Sequence, residues 1–448
     1  MGKLFGTDGV RGIVSTELDA ELALRIGAAT ARVLRKKRNH RLKFLIGADT
    51  RASKDVLLHA LVAGILSEDA DVIDAGIIPT PAISHLIKMY NADGGFVISA
   101  SHNPSEYNGI KVFNEMGRKL PDEVEEEIEK FILESFSLSK DVNKVGTYKY
   151  EEKAKEKYVD FLLSTLDVKL DHMWIGVDAA NGAAYETVRL LLDKLGFEYM
   201  IFNDIPDGYN INDNAGSTHI EGLCEAVKRN NLVCGIAFDG DADRCLFVDE
   251  NGEVVDGDKI IAIYANYLKE KGQLTNDAVV GTVMSNMGLS EFCRKNNIHF
   301  EATKVGDRYV LENMLENGYI IGGEQSGHII FSEYANTGDG ELTALQILKV
   351  MSESKKKLSE LASIMTKYPQ VLENVKVTRE GKDKYAIDVD IAAKIASLEK
   401  QLGMRGRILV RPSGTENLIR VMVEGQDEAE IKECCHSLAQ LIKEKYGI

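Results

Sequence analysis

Short apolar runs, each closed by small or polar residues and followed by a stretch of helical period, recur along most of the chain. Phe44-Leu45-Ile46-Gly47-Ala48 runs into Asp49-Thr50-Arg51 and then a helix over 54–66. Trp174-Ile175-Gly176-Val177-Asp178 runs into Ala179-Ala180-Asn181 and a helix over 185–195. Val279-Val280-Gly281-Thr282-Val283 runs into Met284-Ser285-Asn286 and a helix over 289–296. A second strand follows each helix. Strands alternating with helices imply parallel or mixed sheets with helices on their faces. The recurrence implies three tandem, similar α/β domains, alike in pattern more than in identity.

The last segment breaks this rhythm. From about Gln370 the pattern predicts a strand over 371–377, a helix over 387–401, strands over 406–410 and 418–423, and a helix over 428–446. Two strands joined by one short loop suggest a small α+β domain with an antiparallel sheet. Breaks near Lys153, Gly257 and Pro369 divide the chain into domains at 1–153, 154–256, 257–368 and 369–448. The acidic run from Asp122 to Glu129 reads as a solvated helix face.

Composition narrows the function. The 448 residues carry a net charge of −16. That argues against a nucleic-acid partner, which needs a basic face. It also means that an anionic substrate must be held by a local cluster of cations. No apolar run approaches the length that spans a bilayer, and the N-terminus lacks the apolar core of a signal peptide. The six cysteines show no CxxC spacing, which fits free thiols in a reducing cytoplasm.

Four polar clusters interrupt the apolar runs. In Asp239-Gly240-Asp241-Ala242-Asp243-Arg244, three carboxylates alternate between two apolar strands. They repel one another unless a cation neutralises them, and hard oxygen ligands of this kind suit Mg²⁺. A calcium EF-hand does not fit, because its sixth position is Arg244 rather than glycine and the flanks are strands. A hydrolase aspartate that takes the phosphoryl group, or a polar turn with no ligand, are the other readings. In Ser99-Ala100-Ser101-His102-Asn103-Pro104, a hydroxyl nucleophile stands beside His102 and just before Lys111. Lys111 is a proton donor or acceptor if desolvated, or else a steadying charge for phosphate. His102 is either a catalytic group or a structural hydrogen-bonding partner of Ser101.

Gly323-Glu324-Gln325-Ser326-Gly327-His328 lies between two apolar runs. Glu324 and Ser326 suit adjacent sugar hydroxyls, and His328 can exchange protons near neutral pH. Arg411-Pro412-Ser413-Gly414-Thr415 combines a guanidinium, two hydroxyls and a glycine, the equipment for holding a phosphate, with Arg420 as a second cation on the next strand. Phe5-Gly6-Thr7-Asp8-Gly9-Val10-Arg11-Gly12 lacks the ending of a nucleotide P-loop and reads as a further wall with Arg11 facing phosphate. Thr303-Lys304-Val305-Gly306-Asp307-Arg308 is similar in kind. A nucleophile, a metal site, a hydroxyl-reading loop and a phosphate cradle together describe phosphoryl transfer on a sugar phosphate.

These stretches, in this order along the whole chain, resemble the α-D-phosphohexomutase family. Gly323–His328, Thr303–Arg308, and Asn210-Ile211-Asn212 with Gly216-Ser217-Thr218-His219 resemble its bacterial phosphoglucosamine branch. The resemblance implies four domains around a central cleft, and a homodimer. It implies a phosphoryl group on Ser101, and Mg²⁺ bound by Asp239, Asp241, Asp243 and a phosphoserine oxygen. Glucosamine 6-phosphate would become a 1,6-bisphosphate and then glucosamine 1-phosphate, with hexose 1,6-bisphosphate as activator. Glu324 and Ser326 would read the sugar, and Arg411, Ser413, Gly414, Thr415 and Arg420 the phosphate that does not react. Lys111 and His328 would be the acid/base groups, with Arg244 supporting the phosphoserine and Lys304 and Arg308 in the substrate site. The competing expectations are a mannose or glucose phosphate mutase, a metal-dependent sugar phosphatase that does not need Ser101, and a sugar-phosphate sensor.

Overall fold

The computed structural model describes residues 4–6, 8–36, 38–134, 136–138, 144–413 and 417–448. The first apolar run is the middle of a six-stranded sheet. In chain order its strands are β1 (Val10–Ile13), β2 (Lys43–Ala48), β3 (Asp71–Ile77), β4 (Gly94–Ile98), β5 (Tyr107–Asn114) and β6 (Tyr148–Tyr150). Across the sheet they run β1-β5-β4-β2-β3-β6. β2, β3, β4 and β6 are parallel, while β5 is antiparallel to both neighbours. Phe44 to Ala48 are all buried, as expected of a central parallel strand covered on both faces.

The same plan returns twice. The second sheet holds β7 (Trp174–Asp178), β8 (Glu198–Phe202), β9 (Gly235–Phe238), β10 (Cys245–Val248) and β11 (Val254–Val255), in the order β11-β10-β9-β7-β8. The third holds β12 (Ala278–Thr282), β13 (His299–Thr303), β14 (Ile321–Gly323) and β15 (Ile329–Phe331), in the order β13-β12-β14-β15. Within each repeat, counting from the strand that opens it, the spatial order is fourth, third, first, second. The first three strands are parallel and the fourth turns back antiparallel. The hairpin between third and fourth strands is therefore the same topological position three times. It carries Ser101 in the first repeat, the three aspartates in the second and Glu324–His328 in the third.

Helix packing follows from small residues and caps. The helix Ala20–Arg35 starts at Asp19, whose carboxylate accepts from Leu22 N at 2.8 Å. It packs closely on Lys54–Ser67. A Cβ at Gly64 would lie 2.1 Å from the Leu24 carbonyl oxygen, so only glycine allows this approach. The acidic helix Asp122–Glu134 departs from the expected solvated face. Glu129 is buried and accepts from Leu4 N at 2.9 Å and Phe5 N at 3.3 Å.

The chain forms two compact units, Met1–Met284 with Ile298–Ile364, and Ser285–Asn297 with Met365–Ile448. The first contains the three repeated sheets. The second contains an antiparallel sheet of β16 (Gln370–Lys376), β17 (Gly406–Pro412) and β18 (Leu418–Gly425), in the order β16-β18-β17. Its core joins this sheet to the helices Val389–Leu402 and Glu428–Tyr446 through Ile391, Leu398, Ile419, Val421 and Leu438. The helix Met287–Lys295 belongs to this unit although it follows β12 in the chain. Met287 N donates to Glu424 Oε1 at 2.8 Å, and Arg407 donates to Glu424 Oε2 at 2.7 Å.

Candidate active site

Ser101 sits at the hairpin after β4 with φ of +51°, in the left-handed region that a non-glycine residue seldom enters. Its main chain is held from several sides. Ser101 N donates to Ser99 Oγ at 2.9 Å, and Ser99 Oγ donates to Asp49 at 2.6 Å. Arg51, fully buried and paired with Asp49 at 2.9 Å, donates to the carbonyl oxygens of Ser101 at 3.1 Å, Asn103 at 2.8 Å and Tyr107 at 3.0 Å, and to that of Pro104. Asn212 Nδ2 donates to the Ser101 and Asn103 oxygens at 2.9 and 3.1 Å. A Cβ at Gly240 would stand 2.6 Å from the Ser101 oxygen, so the close meeting of the two hairpins requires glycine there.

So held, Ser101 Oγ donates to Asp239 Oδ2 at 2.6 Å. Asp239, Asp241 and Asp243 each offer a carboxylate oxygen, all lying within 4.8 Å of one another. Asp241 Oδ1 and Asp243 Oδ1 are buried and have no hydrogen-bond partner among the described residues. Burial, then the charges of Asp243 and Asp241, push the Asp239 carboxyl well above the usual carboxylate range. Burial also acts to raise Asp241, but the Lys111 ammonium and hydrogen bonds from Lys111 and Thr80 outweigh it and hold Asp241 low. Three buried acids with two orphaned oxygens fit a hard divalent cation.

Lys111 lies 2.8 Å from Asp241 Oδ2, 3.1 Å from Asp8 and 3.6 Å from Asp243. Burial works against its charge, yet these three carboxylates together raise its pKa. Of the two roles expected for Lys111, proton exchange or a steadying charge for phosphate, these surroundings favour the charge. His102 Nδ1 is 3.5 Å from Ser101 Oγ. Its pKa is pushed down to about 4 by burial and by the Arg244 and Arg11 cations, so the ring is neutral at pH 7. Arg244 lies 3.8 Å from Asp243. Burial opposes its charge, but Asp243, Asp239 and Glu324 raise its pKa. Arg11 hydrogen-bonds Asp8.

The third hairpin carries unmet polar atoms. Glu324 accepts from Gly306 N at 3.1 Å. Gln325 Nε2, Ser326 Oγ and His328 Nδ1 are buried with no partner among the described residues. His328 Nε2 accepts from Gly338 N at 3.2 Å. An unmet buried polar atom costs about 1–3 kcal/mol, so a loop with three of them is ready for a ligand rich in hydroxyls. Lys304 is exposed, with its ammonium 5.9 Å from the Tyr309 ring centre. Arg308 is committed to Glu312 at 2.8 Å and to Asp122. Neither is drawn to the aspartates.

In the second unit, Arg411 on β17 and Arg420 on β18 are direct cross-strand partners. Like charges in this position are destabilising without an anion. Burial and the Arg420 charge lower the Arg411 pKa, and both Nε atoms are buried without a partner among the described residues. Ser413 is buried, with its N–H on the Leu418 oxygen at 2.9 Å. Gly414 and Thr415 lie outside the described residues.

Asp8, Asp307, Lys119, Thr80, Arg51 and Asn212 complete the first unit's site but were not singled out from sequence. Asp8, Asp307 and Asn212 lie inside motifs quoted above, which was the only signal they gave. Arg51 closes a strand-to-turn stretch also quoted above, and Lys119 and Thr80 gave no signal.

Comparison with known proteins agrees with this architecture. Models of the phosphoglucomutase/phosphomannomutase alpha/beta/alpha domains I, II and III match residues 2–138, 156–252 and 256–368, and the C-terminal domain model matches 372–441. The chain is 53% identical over 447 residues to the phosphoglucosamine mutases of Alkaliphilus oremlandii (strain OhILAs) and of Clostridium acetobutylicum, covering 99% of this chain and 100% of each relative. Among solved structures, a phosphoglucomutase/phosphomannomutase family protein from Burkholderia thailandensis superposes with a TM-score of 0.81 at 22% identity, over 98% of this chain and 97% of that one. Aspergillus fumigatus N-acetylphosphoglucosamine mutase in complex with GlcNAc-6P and magnesium gives 0.70 at 18%, over 98% and 95%. These two likenesses establish the fold. With all four domains matched in chain order, and relatives more than half identical along their full length, the chain belongs to the phosphoglucomutase/phosphomannomutase family.

Proposed function

We propose that the chain interconverts glucosamine 6-phosphate and glucosamine 1-phosphate through a phosphoserine at Ser101 and a 1,6-bisphosphate. The observation that carries the chemistry is the Ser101 hydroxyl, 2.6 Å from Asp239, in an aspartate group whose Asp241 is paired with Lys111 at 2.8 Å. The full-length likeness to phosphoglucosamine mutases supports the amino sugar as substrate. Asp239, Asp241 and Asp243 would hold the metal, Mg²⁺ by their oxygen chemistry, which when bound draws charge from phosphoryl oxygens.

The phosphoryl group on Ser101 passes to the free sugar hydroxyl: the Oγ–P bond breaks, a sugar O–P bond forms, and the hydroxyl proton leaves. Return to Ser101 of the other phosphate releases product. Lys111 and Arg244 stay charged and stabilise the phosphoryl oxygens. His102, neutral at pH 7, and His328 are the candidate proton acceptors, and Ser326 and Glu324 suit the sugar hydroxyls. The Arg411–Arg420 pair, with Ser413, Gly414 and Thr415, supplies a site for a phosphate monoester. The six free thiols, five of them buried, support a reducing cytoplasmic setting.

The test is turnover with Mg²⁺ and a catalytic amount of hexose 1,6-bisphosphate on glucosamine, glucose and mannose 6-phosphates. We expect glucosamine 6-phosphate to give at least about tenfold higher kcat/KM, a difference of ~1.4 kcal/mol in transition-state binding. Preference for a neutral sugar would overturn the substrate, and phosphate release without isomerisation would overturn the mutase reading.

A further inference from the structure

An alternating row of charges runs from the aspartate group to Asp307 in the third repeat. Asp241 meets Lys111 at 2.8 Å, and Lys111 meets Asp8 Oδ2 at 3.1 Å. Asp8 Oδ1 meets Lys119 at 2.8 Å, and Lys119 meets Asp307 at 2.8 Å. Asp307 Oδ2 lies 3.8 Å from His328 Nε2. Lys111 stands on β5 of the first repeat, and His328 opens β15 of the third. Lys119, just beyond β5, is shared between a carboxylate of the first repeat and one of the third.

We infer that Lys119 is a positioning residue: through Asp8 it fixes Lys111, and through Asp307 it ties the first repeat to the third, whose hairpin carries His328. This rests on the mutase reading of the same site. Asp8 uses its two oxygens on different cations, and Lys119 meets both oxygens of Asp307, so the row constrains direction as well as charge. Arg11 and Lys111 both lean on Asp8, and Asp8 gains its third cation from Lys119. Burial acts to raise both Asp8 and Asp307, yet Lys119 is among the charges that hold them low. Without Lys119, two half-buried carboxylates would face each other with no cation between them, and Asp8 would keep only Arg11 and Lys111. They would move apart or take up protons, and either response would shift the groups they hold. Misplacement by about 1 Å costs on the order of 100-fold in rate.

The experiment compares Lys119→Met, Lys119→Gln and Lys119→Arg with wild type, using the best sugar phosphate from the assay above, with a thermal melt of each variant. We expect kcat to fall by about 10- to 100-fold in the Met and Gln variants while KM stays within about threefold. Arg, which restores a cation of similar reach, should return kcat to within about fivefold of wild type. Asp307→Asn should lower kcat alone, but by less than about threefold when added to Lys119→Met, because the two act through one contact. Unchanged kcat in a folded Met or Gln variant overturns the inference. So does a rise in KM at constant kcat, which would make Lys119 a direct substrate contact, and so do additive losses in the double variant. Should Lys119→Met fail to fold, the Gln and Arg variants carry the same comparison. A wild-type protein inactive on all three sugars would overturn the functional reading, and this inference with it.

Discussion

Ser101 occupies a backbone conformation that costs a non-glycine residue about 1–2 kcal/mol, and the surroundings show what sustains it. Arg51 and Asn212 together hold its carbonyl oxygen, and Ser99 takes its N–H. Alanine keeps the Cβ and the same backbone, so Ser101→Ala should melt within about 1 kcal/mol of wild type, having lost one hydrogen bond. Turnover should fall by about 10⁴-fold or more, as expected when a nucleophile is removed. A folded Ser101→Ala variant that retains isomerisation would end the covalent scheme. Ser101 and the three aspartates could be read from sequence because they lie in short polar breaks between apolar strands, and Lys111 because it is a lone cation in the apolar strand that follows Ser101. Arg51 could not, since its meaning is a set of hydrogen bonds to carbonyls far along the chain. Nor could the charge state of Lys111, because that depends on Asp8 and Asp241 meeting it in space.

At the scale of elements, the strands were the most readable features. β2, β7 and β12 are buried runs whose apolar character needs no partner to be seen. The helix Gly340–Ser354 was not, because its buried surface includes Glu341, Gln346 and Lys349 beside apolar residues and so lacks a one-sided pattern. Its cap, Asp339, accepts from Leu342 N at 2.9 Å and from the Tyr158 hydroxyl at 2.8 Å. Burial pushes the Asp339 carboxyl up to about 6, against these hydrogen bonds. The unfolded carboxyl ionises near 3.9. Between the two values the folded state keeps a proton that the unfolded state has lost, so this contribution is present at low pH and lost as pH rises through about 6. Asn keeps a cap and has no proton to lose. Asp339→Asn should therefore gain stability relative to wild type as pH rises from about 4 to 7, by on the order of 2 kcal/mol. Urea unfolding at both pH values measures it, and a difference independent of pH would count against a proton held at this cap. The third repeat shows a second limit: its first helix, Met287–Lys295, packs with the second unit, which local periodicity does not encode.

On the scale of the whole molecule, a protein with a net charge of −16 places three of its carboxyl groups together in one buried site. Part of that charge is met by Lys111, and the upward push on Asp239 favours keeping a proton there. The orphaned oxygens of Asp241 and Asp243 are the part that protein groups do not meet. A divalent cation that binds only the folded state supplies the missing partner, and mass action converts its affinity into stability. Mg²⁺ at about 100 times its Kd should add ~2.7 kcal/mol and raise the melting midpoint by about 2–4 °C. Because the cation competes with the proton that Asp239 favours, the rise should be larger at pH 8 than at pH 6. Asp243→Asn removes one ligand charge and should abolish most of the shift, while NaCl at equal ionic strength should reproduce none of it. An equal rise from NaCl would assign the effect to screening of the overall negative charge. An unchanged Mg²⁺ response in Asp243→Asn would place the ion elsewhere, and either result would remove the metal from the aspartate hairpin.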